Sequence, residues 1–379
     1  MRVVLYNINS FGGNYEYAKA LHTAYKNNAL VTNVTMLMPE NASIAASDEV
    51  RKVLMRDVIS SANSLIRKLH FLYRSIINPL RLYRFLKREK ASLVIMNDFD
   101  QLSSFFWVPL FKKLKRTHHF AIILHDPDRD KYLPVKSLSA ATMKKVMEVM
   151  DMAFYHEYLP DKTYYANCKV KAVVPHGIYP VHEKDRVFYD KLLQEKQGRI
   201  MMGIIGNIRD EKNYKEVIDA MPSLNNIKLL VAGKPASTAV PIEAYRKQIT
   251  ALGVDDDIIW HQQFLSDEAF AAAIEACDII LLYYKSSFQS QSGVLNVIAP
   301  YKKKLVVSDT SSALKQTVAN FELGNIVPLN DRDKFVSAIY ESMQANDATL
   351  NEHWDRYIEY SSWDNHVAIV LKTFQSFRS

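Results

Sequence analysis

Short apolar segments rich in β-branched residues alternate with helix-length stretches from one end of the chain to the other. One set spans residues 2–8, 30–36, 93–97, 120–125, 152–155 and 171–174. A second spans 200–205, 227–232, 258–260, 279–282, 305–307 and 324–327. Helical patterns such as 16–26, 214–221, 242–252 and 267–276 lie between them. Strict alternation of this kind predicts α/β architecture, with parallel sheets and right-handed crossovers. The 379 residues exceed what one core of this class usually holds, and the segments fall into two sets, so two doubly wound domains are expected. Residues 178–198 are polar and strand-poor. They place the boundary near residue 180, giving domains of 1–178 and 179–355 and a closing segment of 356–379.

Ligands of open parallel sheets sit at the C-terminal ends of the strands, so chemistry is sought just past each apolar segment. The first segment runs into Gly12-Gly13, where backbone N–H groups can approach an anion at a helix start. A tight strand-to-helix turn would use the same residues. The spacing does not match G-x-G-x-x-G, so dinucleotide binding is not indicated. AIILHDPD ends its strand at His125-Asp126, an acid–base pair in a cleft position or an Asp-Pro turn. GIIGNIRDEKN places Arg209 and Lys212 after Gly206, a fork and a point charge suited to a diphosphate. His176-Gly177 read as a hinge turn or a cleft wall. In QSQSGVLNVIAPYKKKLVVSD, Ser292-Gly293-Val294 open a helix with N–H groups directed at an anion, and no carboxylate occurs before Asp309. His118 and His119 read as surface residues, and the paired methionines as core.

Composition narrows the function classes. Hydrophobic residues make up 48% and charged residues 23%, the balance of an ordinary soluble enzyme. Two widely spaced cysteines, Cys168 and Cys277, give no disulfide framework and no metal-ligand spacing. HExxH, the P-loop and Gly-x-Ser-x-Gly are absent, so neither a metal nor a cofactor is expected. No apolar run reaches the ~18 residues of a membrane span, and the chain reads as cytoplasmic. The net charge of +7 suits nucleotides, other polyanions or an anionic membrane surface. Between Arg67 and Lys90, eight Lys or Arg accompany one acid, Glu89. Leu69, Leu72, Tyr73, Ile76, Ile77, Leu80, Tyr83 and Leu86 recur there at helical spacing, and Pro79 is expected to divide two helices. The stretch is either a solvated face over a core stripe or a surface that docks peripherally on anionic lipid. No aromatic-glycine motif of an RNA module accompanies it, and nucleic acid is not an expected partner.

These segments resemble those of retaining GT-B glycosyltransferases of group 1. GNIRDEKNYKEVIDA resembles the strand–loop–helix that opens that family's donor-binding domain, with Lys212 in the position that contacts donor phosphates. The family's neighbouring arginine would fall at Asn207, and Arg209 follows it here. IIWHQQFLSDEAFAAAIEACDIILLYY is similar to the block that builds part of the nucleobase pocket. LHDPD looks like the strand-end motif that puts His125 near the donor sugar, and SFGGNYEYAKAL resembles the N-terminal Gly-Gly loop. SSWDNHVAIVLKTF resembles the closing helix that crosses back to the first domain. Two glutamates eight residues apart, common in the family, would fall at Gln289 and Val297. Gln289 retains hydrogen-bonding capacity for sugar hydroxyls, and Asn296 is the nearest candidate for the ribose.

The resemblance implies two Rossmann-like domains facing a central cleft and metal-independent transfer of a sugar from a nucleotide sugar, with retention. Arg209, Lys212 and Ser292–Val294 would hold the diphosphate. Gly12 and Gly13 would line the cleft, and His125 with Asp126 would act at the sugar. The acceptor would be a glycan or a lipid-linked molecule, as in surface polysaccharide assembly. Two other readings stay open: a non-catalytic binding subunit of a partner transferase, and a nucleotide-sugar epimerase.

Overall fold

The computed structural model describes residues 1–61 and 63–378. Its internal contacts divide it into two units, Met1–Gly177 with Ser362 onward, and Ile178–Ser361.

The first unit carries β1 (Arg2–Tyr6), β2 (Asn33–Pro39), β3 (Val50–Leu54), β4 (Leu93–Met96), β5 (His119–Leu124), β6 (Met152–Tyr155) and β7 (Val170–Val173). They pair in the order β3-β2-β1-β4-β5-β6-β7, every pair parallel. Val3 lies opposite Val34 on one side and Leu93 on the other. Both faces are covered, which is why β1 reads as a continuous apolar run rather than an alternation: Val3, Val4, Leu5 and Tyr6 are all buried. Val367, Val370, Leu371 and Phe374 of helix Trp363–Arg378 pack into the core that holds Leu5, Ile95, Ile123 and Phe154. Residues up to Ser361 of the expected closing segment group instead with the second unit.

The second unit carries β8 (Ile200–Ile205), β9 (Ile227–Ala232), β10 (Ile258–His261), β11 (Ile279–Leu282), β12 (Lys304–Ser308) and β13 (Gly324–Val327). Their order is β10-β9-β8-β11-β12-β13, again all parallel. Each sheet reverses direction beside its first strand, at β1/β4 and at β8/β11, and a doubly wound sheet places its ligand at that point. The polar stretch after the first unit contains a helix, Arg186–Lys196, whose start is capped by the Asp185 carboxylate.

Three sequence expectations change. Strand β3, VRKVL, was not anticipated. It lies at the sheet edge, where the charged Arg51 and Lys52 are tolerated and the apolar signal is weak. Pro79 does not break its helix, which runs unbroken from Ser64 to Arg88. Proline leaves the carbonyl one turn back, that of Ser75, without its helical donor, and the Ser103 hydroxyl takes it. His118 is buried rather than on the surface, with its ring nitrogens bonded to the Thr117 hydroxyl and the Glu89 carbonyl.

The basic helix also differs from the expected core stripe. Its inward residues in the middle are Arg74, Ser75, Asn78 and Pro79, followed by Leu82 and Leu86. Leu65, Ile66, Leu69, Leu72, Tyr73 and Ile76, in its first half, are exposed. The first half of the helix therefore turns apolar side chains outward.

Candidate functional site

In the second unit the site is built at the end of β8. Gly206 follows with φ +93°, a conformation few L-residues adopt, and directs the chain into the turn Asp210–Lys212. Lys212 folds back under this turn and donates from Nζ to the Ile205 carbonyl at 2.7 Å. It is only 6% exposed. Burial, reinforced by the nearby Arg209, lowers its pKa to about 7. A Cβ placed on Gly206 would stand 3.5 Å from Lys212 Nζ and 3.5 Å from Val294 Cγ2. The lysine and the start of helix Gly293–Ile298 thus converge on this glycine.

On the far side Gly233 comes so near that a Cβ there would lie 2.2 Å from the Gly206 carbonyl oxygen. Arg209 is exposed beside the turn. Asp210, the acid of the same turn, accepts from Tyr245 and Lys285 at 2.6 Å each, and its charge is offset there rather than at Lys212.

Not every expected donor is available. Ser292 is buried, its hydroxyl pairs with the Tyr284 hydroxyl at 3.0 Å, and its N–H donates to Gln291 Oε1 at 3.1 Å. Gly293 and Val294 supply the N–H groups of the helix's first turn, which have no acceptor one turn back. Asn296 is fully buried. Its Oδ1 accepts from the Tyr357 hydroxyl at 2.6 Å and its Nδ2 donates to the Ser292 carbonyl at 3.3 Å. With its amide engaged this way it holds the helix in place and does not present an acceptor to a ribose. Gln289 differs: its Oε1 is buried and without a partner, while its backbone carbonyl accepts from Ala313 N–H at 3.1 Å. A buried acceptor left open is uncommon in a folded chain.

In the first unit, Gly12 caps helix Gly13–Asn27 with φ +81°, a geometry that requires glycine, whereas a Cβ on Gly13 would meet open space. Carboxylates surround this loop. Ser10 donates from its N–H and its hydroxyl to Asp57, and Asn9 and Asn14 donate to Asp98. These acids make the loop a poorer anion cradle than its glycines suggest.

His125 lies one residue past β5. Asn97 follows β4 and donates through Nδ2 to Asn7 Oδ1 and to the Asn14 carbonyl. Its Oδ1 therefore accepts, and His125 Nε2, at 3.0 Å, is the donor. Asp126 is exposed. The ring of Tyr17 is surrounded by four histidines, with centroids 4.4 Å away for His125, 5.7 Å for His156, 5.0 Å for His176 and 5.8 Å for His366. Burial, then the neighbouring imidazoles, holds His125 well below the usual histidine range. Burial lowers His156 to about 4 and His176 and His366 to about 3. The cluster is neutral, and His125 rests as a hydrogen-bond donor rather than as a cation. Among the described residues no three of His, Cys, Asp and Glu are placed to hold a metal ion.

Sequence reasoning passed over Asn7, Asn97, Asp98 and Asp100. The usable signal was position: YNIN and MNDFD put polar residues at the ends of the two strands that flank the switch point.

The family described as Glycosyl transferases group 1 matches residues 185–361, which lie within the second unit. No curated protein sequence matches the chain. Among solved structures it is similar to sucrose-phosphate synthase (tll1590) from Thermosynechococcus elongatus, at 17% identity and a TM-score of 0.70, covering 100% of this chain and 98% of that one. It is similar to Alr3699/HepE from Anabaena in complex with UDP-glucose, at 11% identity and a TM-score of 0.70, covering 99% and 100%. It is also similar to α,α-trehalose 6-phosphate synthase from Burkholderia multivorans, at 12% identity and a TM-score of 0.67, covering 99% and 98%. The second unit thus matches the group 1 glycosyltransferase family over residues 185–361, and the chain as a whole shares the two-unit fold of these solved structures.

Proposed function

We propose that the chain transfers a sugar from a nucleotide-sugar donor to a glycan or lipid-linked acceptor, with retention and without a metal ion. The observation that carries this reading is the buried Lys212 ammonium beside Gly206 and Val294 at the end of β8. A diphosphate bound there would meet one buried cation, the exposed Arg209 and the N–H groups of Gly293 and Val294. Electrostatic stabilisation of a departing diphosphate is a major source of rate in such a reaction. It needs no carboxylate in the donor helix, so Gln289 and Val297 in place of acids do not preclude turnover. The open Gln289 Oε1 would accept from a donor hydroxyl. The complex of HepE with UDP-glucose supports a nucleotide sugar as donor.

The exposed apolar first half of helix Ser64–Arg88 supports docking of the first unit on an anionic membrane surface, where a lipid-linked acceptor of surface polysaccharide assembly would be met. Among the described residues no helix is long and apolar enough to cross a membrane.

A second reading, a binding subunit that does not catalyse, draws on Val297, which has no hydrogen-bonding group where the family commonly has a glutamate. A thermal-shift screen against UDP-, GDP-, dTDP- and CMP-sugars, followed by turnover on each hit with and without chelator, decides between the two. Stabilisation with chelator-insensitive donor turnover supports transfer. Stabilisation without turnover supports the binding subunit, and turnover abolished by chelator contradicts the metal-free mechanism.

A further inference from the structure

The first unit holds two arginines that its own structure does not satisfy. Arg74 is 8% exposed, yet its Nε is buried without a partner, and the guanidinium lies 5.6 Å from the centre of the Phe71 ring. Arg129, in the loop after β5, also has a buried, unpartnered Nε and stands 4.8 Å from the Phe99 ring and 5.6 Å from the Tyr132 ring. Among the described residues neither side chain has an ion pair or a hydrogen bond.

The backbone of Arg129 is nonetheless fixed. Its N–H donates to the Tyr164 hydroxyl at 3.0 Å and its carbonyl accepts from Ser139. Burying an unpaired cation is unfavourable, and a folded chain retains one chiefly where something else supplies the counter-charge.

Both arginines stand near the C-terminal edge of the sheet, at its switch point. Phe99 and Asp100 follow β4, and the Tyr6 hydroxyl at the end of β1 donates to Asp100 at 2.9 Å. Arg74 and Arg129 both act electrostatically on the Tyr132 hydroxyl, as do Asp98 and Asp100. Among the described residues neither acid makes an ion pair or a hydrogen bond with either guanidinium. Asp98 accepts from Asn9, from Asn14 and from the Phe99 N–H. Asp100 is bonded to Tyr6, and burial raises its pKa to about 7 although the nearby Arg74 pulls it down. What remains is a buried guanidinium and a half-buried one, each beside an aromatic ring, with donors in the forked geometry that suits phosphate.

We propose that Arg74 and Arg129 form a phosphate-binding site in the first unit, and that the acceptor is a phosphate-bearing molecule. The assignment of this ligand as acceptor rests on the transferase reading; the anion site does not. The phosphate belongs either to a soluble sugar phosphate or to the headgroup of a lipid-linked acceptor.

Thermal shift and calorimetry on the full chain test it with inorganic phosphate, a hexose monophosphate and the unphosphorylated hexose, at matched ionic strength. A parallel arm compares phosphatidylcholine vesicles with and without a polyprenyl phosphate. The phosphorylated probes are expected to bind, and Arg129→Gln to weaken them by about 10- to 100-fold, the scale of a lost charged hydrogen bond. Arg74→Gln should abolish the phosphate-induced shift while raising the melting temperature of the unliganded chain, because it removes an unpaired buried charge. A merely structural arginine would lower that temperature. The tighter of the hexose phosphate and polyprenyl phosphate arms identifies the source. Failure of every phosphate probe to bind more tightly than the hexose, or unchanged affinity in Arg129→Gln, overturns the site. Nucleotide-sugar binding measured on the same proteins reports on the donor reading separately: Arg129→Gln should leave it intact.

Discussion

Lys212 Nζ donates to the carbonyl oxygen of Ile205 at 2.7 Å, from a side chain that solvent hardly reaches. This bond aims the ammonium at Gly206 and Val294 before any ligand arrives. Its environment also makes its proton readily lost, since burial brings the pKa from 10.5 to about 7.

A pH dependence with a definite sign follows. Above pH 7 the folded chain releases this proton, while the unfolded chain keeps it to about 10.5, so Lys212 makes stability rise with pH across that window. A bound diphosphate restores the charge. Donor binding at pH 8–9 should therefore take up close to one proton, measured by calorimetry in buffers of different ionisation enthalpy, and should weaken as pH rises. Lys212→Gln should remove the proton uptake.

The histidines around Tyr17 give a dependence of the same sign in a more acidic window. His156, His176 and His366 stay neutral in the folded state to about pH 3–4, whereas the unfolded chain protonates them near 6.5. The unfolded state then binds more protons, and the first unit should lose stability as pH falls from 6.5 to 4, by up to roughly 3 kcal/mol for each of these histidines. Melting temperatures across this range should fall less steeply in His366→Gln than in the wild type.

Asn296 is expected to matter for stability and not for the donor. Asn296→Ala removes the buried hydrogen bond between its side chain and the Tyr357 hydroxyl, a loss of about 1–3 kcal/mol and a melting temperature lower by several degrees. Nucleotide-sugar affinity of the folded protein should change less than about twofold. A large loss of affinity at unchanged stability would return Asn296 to the donor site.

Both sheets were legible in the sequence because central parallel strands, buried on both faces, leave continuous apolar runs such as VVLY and LLVA. Strand β3 was not, since an edge strand carrying Arg51 and Lys52 has no such run. Gly206, Lys212 and Val294 could be named because each follows a strand or opens a helix. Asn296 was misjudged for a reason that spacing cannot show: the Tyr357 hydroxyl that occupies it comes from a helix about sixty residues later. Arg74 lay hidden in the basic stretch, where composition gives no hint which cation turns inward. Helix Ser64–Arg88 misled in the same way, as its apolar periodicity is real but its first half faces outward.

That outward face supplies a membrane prediction. Leu69 and Leu72 are about half exposed, at 56% and 46%, so replacing them should cost little stability. Leu69→Glu with Leu72→Glu should abolish co-sedimentation with anionic vesicles while leaving the melting temperature within a few degrees. Equal sedimentation of the wild type with neutral and anionic vesicles would refute docking through charge.

The most direct measurement is nucleotide-sugar affinity in wild type and Lys212→Ala, using whichever of the UDP-, GDP-, dTDP- and CMP-sugars stabilises the wild type. Loss of a buried cation from a diphosphate should weaken binding about 10- to 100-fold, with inorganic phosphate binding through Arg74 and Arg129 unchanged. Equal affinity of the two proteins for the donor would contradict the assignment of the diphosphate to Lys212, Gly206 and Val294.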